Sequence, residues 1–350
     1  MLVIHHVIRY YLPVSYSSSI IEVATKNNKY ICQSNCIQLE SSDQFNDLAF
    51  DWDVSLRQLQ KGNFKGDFFS VGDKEAQVYQ FSMNRSVEMR GCAPADNNFR
   101  SFGFMREGDY SGTWCNSDIY NDNLLVWGKN GEYEAITSSE FNVNVFALSD
   151  ALLNEAAIAT DSQDALERLS EDHLIYTSQA WRIKQSRIML ELLRHTITAQ
   201  PTGYEASVCW QDMIFTIVCN ITSILSKNAS VDKRPAPNSR KKLSALKLAI
   251  DFIEANDDEP LTVRDLCKIT RVSERTLQYG FLEHYHVSPK TYLKAVRLNG
   301  VHRQLRQVDP KTGKVADIAN AWGFWHMGQF AADYYALFSE KPLTTLRRPS

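Results

Sequence analysis

The sequence predicts a mixed fold: an N-terminal antiparallel β-barrel with helices after it, then an all-α C-terminal end made of two consecutive helix-turn-helix units. Three observations predict it. Residues 45–148 alternate short apolar runs with Gly, Asn and Asp. Ser226 to Lys242 is rich in Ser, Asn, Pro and charge and nearly free of apolar residues. Residues 261–346 then carry two similar helix-turn-helix patterns joined by one longer helical segment.

In the first region, Ala76 to Ser82, Arg85 to Gly91, Phe99 to Phe104, Asn123 to Gly128 and Asn142 to Ala147 read as strands. Turn residues at regular spacing between alternating runs are the mark of a small antiparallel barrel or sandwich. Aromatic residues are dense, among them Phe64, Phe68, Phe81, Phe102, Trp114 and Trp127. Residues 151–225 read as amphipathic helices, with apolar positions such as Leu152, Ala156, Ile183, Leu190, Ile214, Ile217 and Ile221. The expected organisation is therefore an N-terminal segment and barrel over 1–150, a helical region over 151–225, a linker over 226–242 and a final domain over 243–350.

The first helix-turn-helix unit opens on Thr262, with Asp265 three residues on, a capping-box spacing. Val263, Leu266 and Ile269 supply the inward stripe of a short helix. Ser273 suits the N-cap of a second helix, with Leu277 and Phe281 inward at i, i+4. That leaves Glu274, Arg275, Gln278 and Tyr279 outside, and such side chains on the N-terminal half of a helix suit base edges in a major groove. A longer helix follows, capped by Ser288 with Pro289 at its first position and carrying Tyr292, Leu293, Val296, Leu298, Val301 and Leu305. From Pro289 to Leu305 it would run about 26 Å. With a recognition helix at each end this approaches the ~34 Å of one DNA turn.

The second unit repeats the design. Val315, Ile318 and Ala319 begin a short helix that ends near Trp322, with Gly323 in the left-handed position after it. Phe330, Tyr334 and Phe338 line one face of the last helix, leaving Met327, Gly328, Gln329, Ala332 and Asp333 outside; His326 stands where a cap is needed. Lys290, Lys294, Arg297, Arg303 and Arg306, on the bridging helix, are candidates for phosphate contacts.

The stretch from Leu246 to Arg347 resembles the DNA-binding domain of the AraC/XylS family of bacterial transcription regulators. It is carried by Trp322-Gly323-Phe324-Trp325-His326-Met327-Gly328-Gln329-Phe330-Ala331-Ala332-Asp333-Tyr334 and by Leu337-Phe338-Ser339-Glu340-Lys341-Pro342. Arg275-Thr276-Leu277-Gln278 and Lys294-Ala295-Val296-Arg297-Leu298-Asn299 fit the subgroup that includes the ethanolamine-operon activator. Many members carry a serine where Gly328 stands, an arginine at Ala332 and a basic residue at Tyr335. The departures shift discrimination toward Arg275, Gln278 and Tyr279. The region before it resembles the cupin-type barrel that often precedes such a domain, and Leu59 to Phe68 is similar to the barrel entry of the ethanolamine regulator.

The resemblance implies a sequence-specific regulator, an activator in the usual case, that binds double-stranded promoter DNA, contacts RNA polymerase and forms a homodimer through the helical region. It further implies a sensor barrel for a small-molecule effector. The alternative is a regulator without such a ligand, its N-terminal half serving as a protein-interaction or oligomerisation module. Arg85, Arg90, Arg100, Arg106, Trp114 and Trp127 are candidates for a ligand site, with none singled out.

Composition narrows the remaining classes. The net charge of −3 divides unevenly, since residues 243–350 hold 15 Lys+Arg against 12 Asp+Glu, leaving −6 on residues 1–242. That mild asymmetry is weak evidence for nucleic acid by itself. No histidine stands between His6 and His173. The His cluster of metal cupins is therefore missing, and no cofactor or metal is expected. No Gly-rich phosphate loop, nucleophile elbow or H-E-x-x-H is present, so a catalytic function is not expected. The start, MLVIHHVIRYYLPV, lacks a basic n-region and a bilayer-length run, and seven scattered cysteines suit a reducing cytoplasm with no membrane partner.

Overall fold

A computed structural model of the chain describes residues 17–348 apart from 26–27, 47–52, 93–97, 107–111, 116, 129–131, 168, 170–173, 178–179, 200–203, 227–229, 232–236 and 258. The expectations on His6, His173 and the first 16 residues lie outside the described residues. The N-terminal half is mostly strands: β1 (Ser17–Thr25), β2 (Asn28–Leu39), β3 (Asp53–Gln58), β4 (Gly66–Gly72), β5 (Ala76–Met83), β6 (Val87–Cys92) and β7 (Phe99–Met105). They continue as β8 (Gly112–Trp114), β9 (Ser117–Asp118), β10 (Asn123–Val126), β11 (Glu132–Thr137) and β12 (Phe141–Ser149); a one-turn helix α1 (Asp43–Asn46) precedes β3. After β12 come α2 (Asp150–Ala159), α3 (Asp164–Glu167), β13 (Leu174–Thr177), α4 (Ala180–Ala199), α5 (Tyr204–Ser226) and β14 (Ser230–Val231).

All five strands expected from alternation are present. The pairing is antiparallel throughout, in a nine-stranded sheet ordered β1-β2-β4-β5-β12-β7-β10-β13-β14 and a five-stranded sheet ordered β3-β6-β11-β8-β9. Among the described residues the strands form two stacked sheets and no closed barrel. Side chains alternate across a strand, so each sheet presents two faces. Leu56, Met89 and Ala135 of the small sheet share one core with Phe68, Val143 and Val145 of the large sheet. The opposite face of the large sheet, with Phe69, Val78, Phe102 and Phe146, is covered by Leu153 of α2, Ile183 of α4 and Ile217 and Ile221 of α5.

The outer face of the small sheet has a third covering. Ile136 of β11 and Leu59, just after β3, belong to the same core as Leu246, Phe281 and Tyr292 of the C-terminal region. That region comprises α6 (Pro237–Glu254), α7 (Val263–Thr270), α8 (Glu274–Tyr285), α9 (Pro289–Gln307), α10 (Val315–Ala321), α11 (Met327–Phe338) and α12 (Pro342–Arg347). Helix α6 begins inside the expected 226–242 linker, and β14 within it pairs with β13. Pro237 suits the first turn of a helix, and the stripe Leu246, Ala249, Ile250 and Ile253 gives that helix a buried face to pack. No helix among the described residues is long and apolar enough to cross a membrane.

Candidate nucleic-acid interface

The first helix-turn-helix unit forms where its caps and apolar stripes dictate, and the second rests on its apolar stripe. Thr262 and Asp265 make the reciprocal capping box of α7. Ser273 accepts from the Thr276 amide at the start of α8, and Ser288 from the Thr291 amide at the start of α9. Leu266, Leu277, Phe281, Tyr285 and Tyr292 fill the core of the first unit. Ile269 is a correction to the expected stripe, since it is 40% exposed. A 3.6-residue turn carries position i+6 past the buried face, and Thr270 occupies it, donating its hydroxyl to Leu266 O.

On the outer face of α8 stand Glu274, Arg275, Gln278 and Tyr279, all exposed. The Arg275 guanidinium lies 5.5 Å from the centre of the Tyr279 ring, and its Nη2 is 3.3 Å from the Tyr279 hydroxyl. The pair therefore presents a cation braced against an aromatic face.

In the second unit, Phe330, Tyr334, Leu337 and Phe338 are buried on the inner face of α11. Gly328, Gln329 and Ala332 are exposed on the outer face, while Met327 is half-buried against the unit's core. Gly323 has φ 75°, the left-handed turn expected there. His326 is the N-cap of α11 but makes no side-chain cap bond, which corrects the capping role expected of it. Its φ and ψ of −101° and 91° start the helix without side-chain help.

The basic candidates of the bridging helix divide. Lys290 and Arg303 are exposed. Lys294 instead binds Asp333 at 2.8 Å, tying α9 to α11. Arg297 lies 5.1 Å from the Phe324 ring centre, and burial lowers its pKa. Arg306 donates to Ser41 Oγ at 2.9 Å, toward the N-terminal half. Helix α9 is buried nearly all round because it serves both units. Tyr292, Leu293, Ala295 and Val296 belong to the first core, and Leu298, Val301 and Leu305 to the second.

Sequence reasoning missed the reverse side of this domain, which is seated on the small sheet through polar groups. Register places Arg57 of β3 opposite Glu88 of β6, and Arg90 of β6 opposite Glu134 of β11. Arg57 Nη1 is 2.7 Å from Glu88, 2.8 Å from Glu254 of α6 and 2.9 Å from the Tyr292 hydroxyl. Tyr285 donates its hydroxyl to Glu134. Burial raises the pKa of both tyrosine hydroxyls, so they stay protonated donors. Farther along α9, His302 lies between Asp43 and Glu340, with Nε2 3.1 Å from Glu340. The available signal was charge at the outward phase of β3, β6 and β11, and polar Asn299 and His302 inside an otherwise apolar helix.

The candidate ligand residues of the N-terminal half are largely engaged. Arg90 pairs with Glu88 at 2.8 Å, Arg100 with Asp150 at 3.1 Å and Arg106 with Glu191 at 2.6 Å. Trp114 and Trp127 pack edge to face at 5.2 Å between the sheets. The Arg85 guanidinium packs against Gly62, 2.6 Å from where a Cβ would stand, and donates to Asn84 O. No group of three or more potential metal ligands occurs among the described residues.

A helix-turn-helix domain family model matches residues 266–348. The probable thc operon regulatory protein of Rhodococcus erythropolis is 37% identical over 102 residues, 29% of this chain and 31% of that protein. The XylDLEGF operon transcriptional activator 3 of Pseudomonas putida is 31% identical over 99 residues, 28% of this chain and 30% of that one. The chain thus spans about a third of the length of these curated relatives. A solved structure described as a probable AraC family transcriptional regulator from Rhodopseudomonas palustris is 36% identical, with a TM-score of 0.28, covering 30% of this chain and 99% of that one. Through its C-terminal hundred or so residues, the chain carries a helix-turn-helix domain and is similar to DNA-binding transcription regulators.

Proposed function

We propose that this chain is a cytoplasmic transcription activator that reads two adjacent major grooves of promoter DNA with α8 and α11. The observation that carries it is the sidedness of the domain. Arg275, Gln278 and Tyr279 of one unit and Gly328, Gln329 and Ala332 of the other stay exposed, while the opposite side is buried against the small sheet. Docking therefore leaves the base-reading faces open. Lys290 is placed for a phosphate, and the first unit carries most of the discrimination, because Gly328 and Ala332 offer no hydrogen-bonding side chain. Activation proceeds through contact with RNA polymerase, and the chain works as a homodimer through its helical region, where Ile188 and Leu192 of α4 are exposed. The chain has no catalytic step of its own.

In the fuller form of this reading the N-terminal half senses a small molecule. The resemblance of the C-terminal region to the ethanolamine-operon subgroup, read from the sequence alone, is the reason to include ethanolamine and adenosylcobalamin in the first ligand panel. The alternative, a regulator with no such ligand, is favoured by the engagement of Arg90, Arg100 and Arg106 in ion pairs and of both tryptophans in the core. A ligand at 100 times its Kd would add about 2.7 kcal/mol of stability. No thermal shift across the panel, with equal DNA affinity for the full chain and residues 240–350, decides for the alternative. The regulator reading is tested by selecting bound fragments from sheared genomic DNA of the source organism. A few upstream regions sharing a site of roughly 17–20 base pairs support it, and recovery without sequence preference counts against it.

A further inference from the structure

One short segment of the small sheet grips both helix-turn-helix units. Strand β3 is the edge strand of that sheet, so alternate backbone groups point away from β6. At Gln58 those groups meet the side-chain amide of Asn299 in the middle of α9. The Gln58 amide donates to Asn299 Oδ1 at 3.1 Å, and Asn299 Nδ2 donates to Gln58 O at 3.0 Å. One carboxamide thus completes the strand edge as a neighbouring strand would. Asn299 is 2% exposed, and its neighbour Gly300 lies against Trp322 of the second unit.

The Gln58 side chain runs on to the second unit. Its Nε2, in a residue 1% exposed, is 2.7 Å from Leu337 O, in the last turn of α11. The Gly62 amide donates to the same carbonyl at 3.0 Å. The last four carbonyls of a helix have no partner within it, and here the N-terminal half supplies two donors to one of them. The other acceptors of Gln58 Nε2 are Gln60 O and Gly62 O, each at 2.7 Å, which hold the turn in shape. Gly62 has φ +118°, and Arg85 would lie 2.6 Å from a Cβ there, so the turn that aims its amide needs glycine. Arg57, next to Gln58, meanwhile binds Glu254 of α6 and Tyr292, whose ring sits in the core of the first unit.

We propose that Gln58 and Asn299 are positioning residues for the DNA reader: they hold α11 at one setting relative to α8 and so define the spacing between the two base-contact sites. The proposal rests on the two-groove reading given above. Spacing is a sensitive readout, because one base pair turns the second site by about 35° around the duplex. The N-terminal half then acts on DNA recognition without touching DNA, through the end of a recognition helix.

The test uses the full chain and its Gln58→Glu and Asn299→Ala variants. Glutamate keeps the size of Gln58 and removes the donor to Leu337 O; the second variant acts from the other domain. Hydrogen exchange without DNA comes first. Exchange across the last turn of α11 should speed up several-fold in Gln58→Glu, with α8 unchanged. Unaltered protection of α11 in both variants overturns the proposal. Binding is then measured on selected two-site DNA and on the same DNA lengthened or shortened by one base pair between the half-sites. Wild type should prefer one spacing, and the variants should flatten that preference. Equal loss on all three DNAs makes the residues merely structural and overturns the positioning role. Indifference of wild type to two-site DNA overturns the two-groove reading and this proposal with it, and the exchange result tells that failure from a failed grip.

Discussion

Arg57 and Glu254 join the two halves of the molecule, the guanidinium of a sheet strand meeting the carboxylate of the first C-terminal helix at 2.8 Å. Glu88 shares the same guanidinium at 2.7 Å and is 1% exposed. Burial alone would raise the Glu88 pKa, yet Arg57 and Arg90 hold it below its ordinary value, so Glu88 is a buried anion that depends on its partners.

Removal of Arg57 should therefore be costly. Arg57→Ala leaves Glu88 with Arg90 as its remaining cationic partner, so the cost should approach but not exceed that of breaking a buried pair outright, about 3–5 kcal/mol. Denaturant unfolding of the full chain checks it. Adding Glu88→Gln to that variant should recover part of the loss, because the buried carboxylate that has lost one of its two cations becomes neutral. No recovery would mean that Arg57 acts by packing rather than by charge.

His302 makes the seam pH-dependent. Burial pulls its pKa down, but hydrogen bonds and charge from Asp43 and Glu340 outweigh it and raise the value above 6.5. A pKa raised by folding contributes stability that is complete below the unfolded value and is lost as pH rises through the folded value. Glu340, whose pKa is lowered despite burial by His302, Thr345 and Arg348, adds stability above its ordinary 4.5 that is lost at more acid pH. The advantage of wild type over His302→Asn in Tm should be greatest between about pH 5 and 6.5 and shrink toward pH 9. A gap that stays constant from about pH 5 to pH 9 would show that folding does not raise the imidazole pKa.

Gly300 admits no side chain. A Cβ there would lie 2.2 Å from the Trp322 ring, and Trp322 is anchored by its Nε1 donating to Gln304 Oε1 at 2.8 Å. Gly300→Ala should cost about 1–3 kcal/mol by overpacking. An unchanged unfolding midpoint would mean that Trp322 swings away freely.

Arg275→Ala should relax preference at a single base position and weaken binding by about 1–3 kcal/mol, provided the guanidinium pairs with a guanine. Affinity is measured on the selected site and on its single-base variants. Equal weakening on every sequence reassigns Arg275 to a phosphate.

Ala332 is exposed on the outer face of α11. Ala332→Arg should tighten binding and steepen the salt dependence by about one unit of slope. A slope identical to that of wild type would place α11 outside the groove.

Local chemistry made the elements readable. Thr262 with Asp265, Ser273, and Ser288 with Pro289 mark three helix starts by caps that work over four residues. Strands β5, β6, β7, β10 and β12 announce themselves by alternation. What depends on distant partners was not readable. Asn299 and His302 interrupt the apolar pattern of α9, but their partners Gln58 and Asp43 lie 241 and 259 residues away. Lys294, a candidate phosphate contact, pairs with Asp333, a partner 39 residues away that no local pattern names. The start of α6 was hidden because its first turns are polar and resemble a linker, its apolar stripe beginning only near Leu246.

The completion of the β3 edge by Asn299 bears on how the halves behave apart. A domain cut free at residue 240 would leave the Gln58 amide and carbonyl bare, beside an Arg57 stripped of Glu254. Open strand edges recruit strands from other molecules. Oligomers formed by an isolated N-terminal half would therefore report a severed seam, whereas the native assembly is legible in the intact chain.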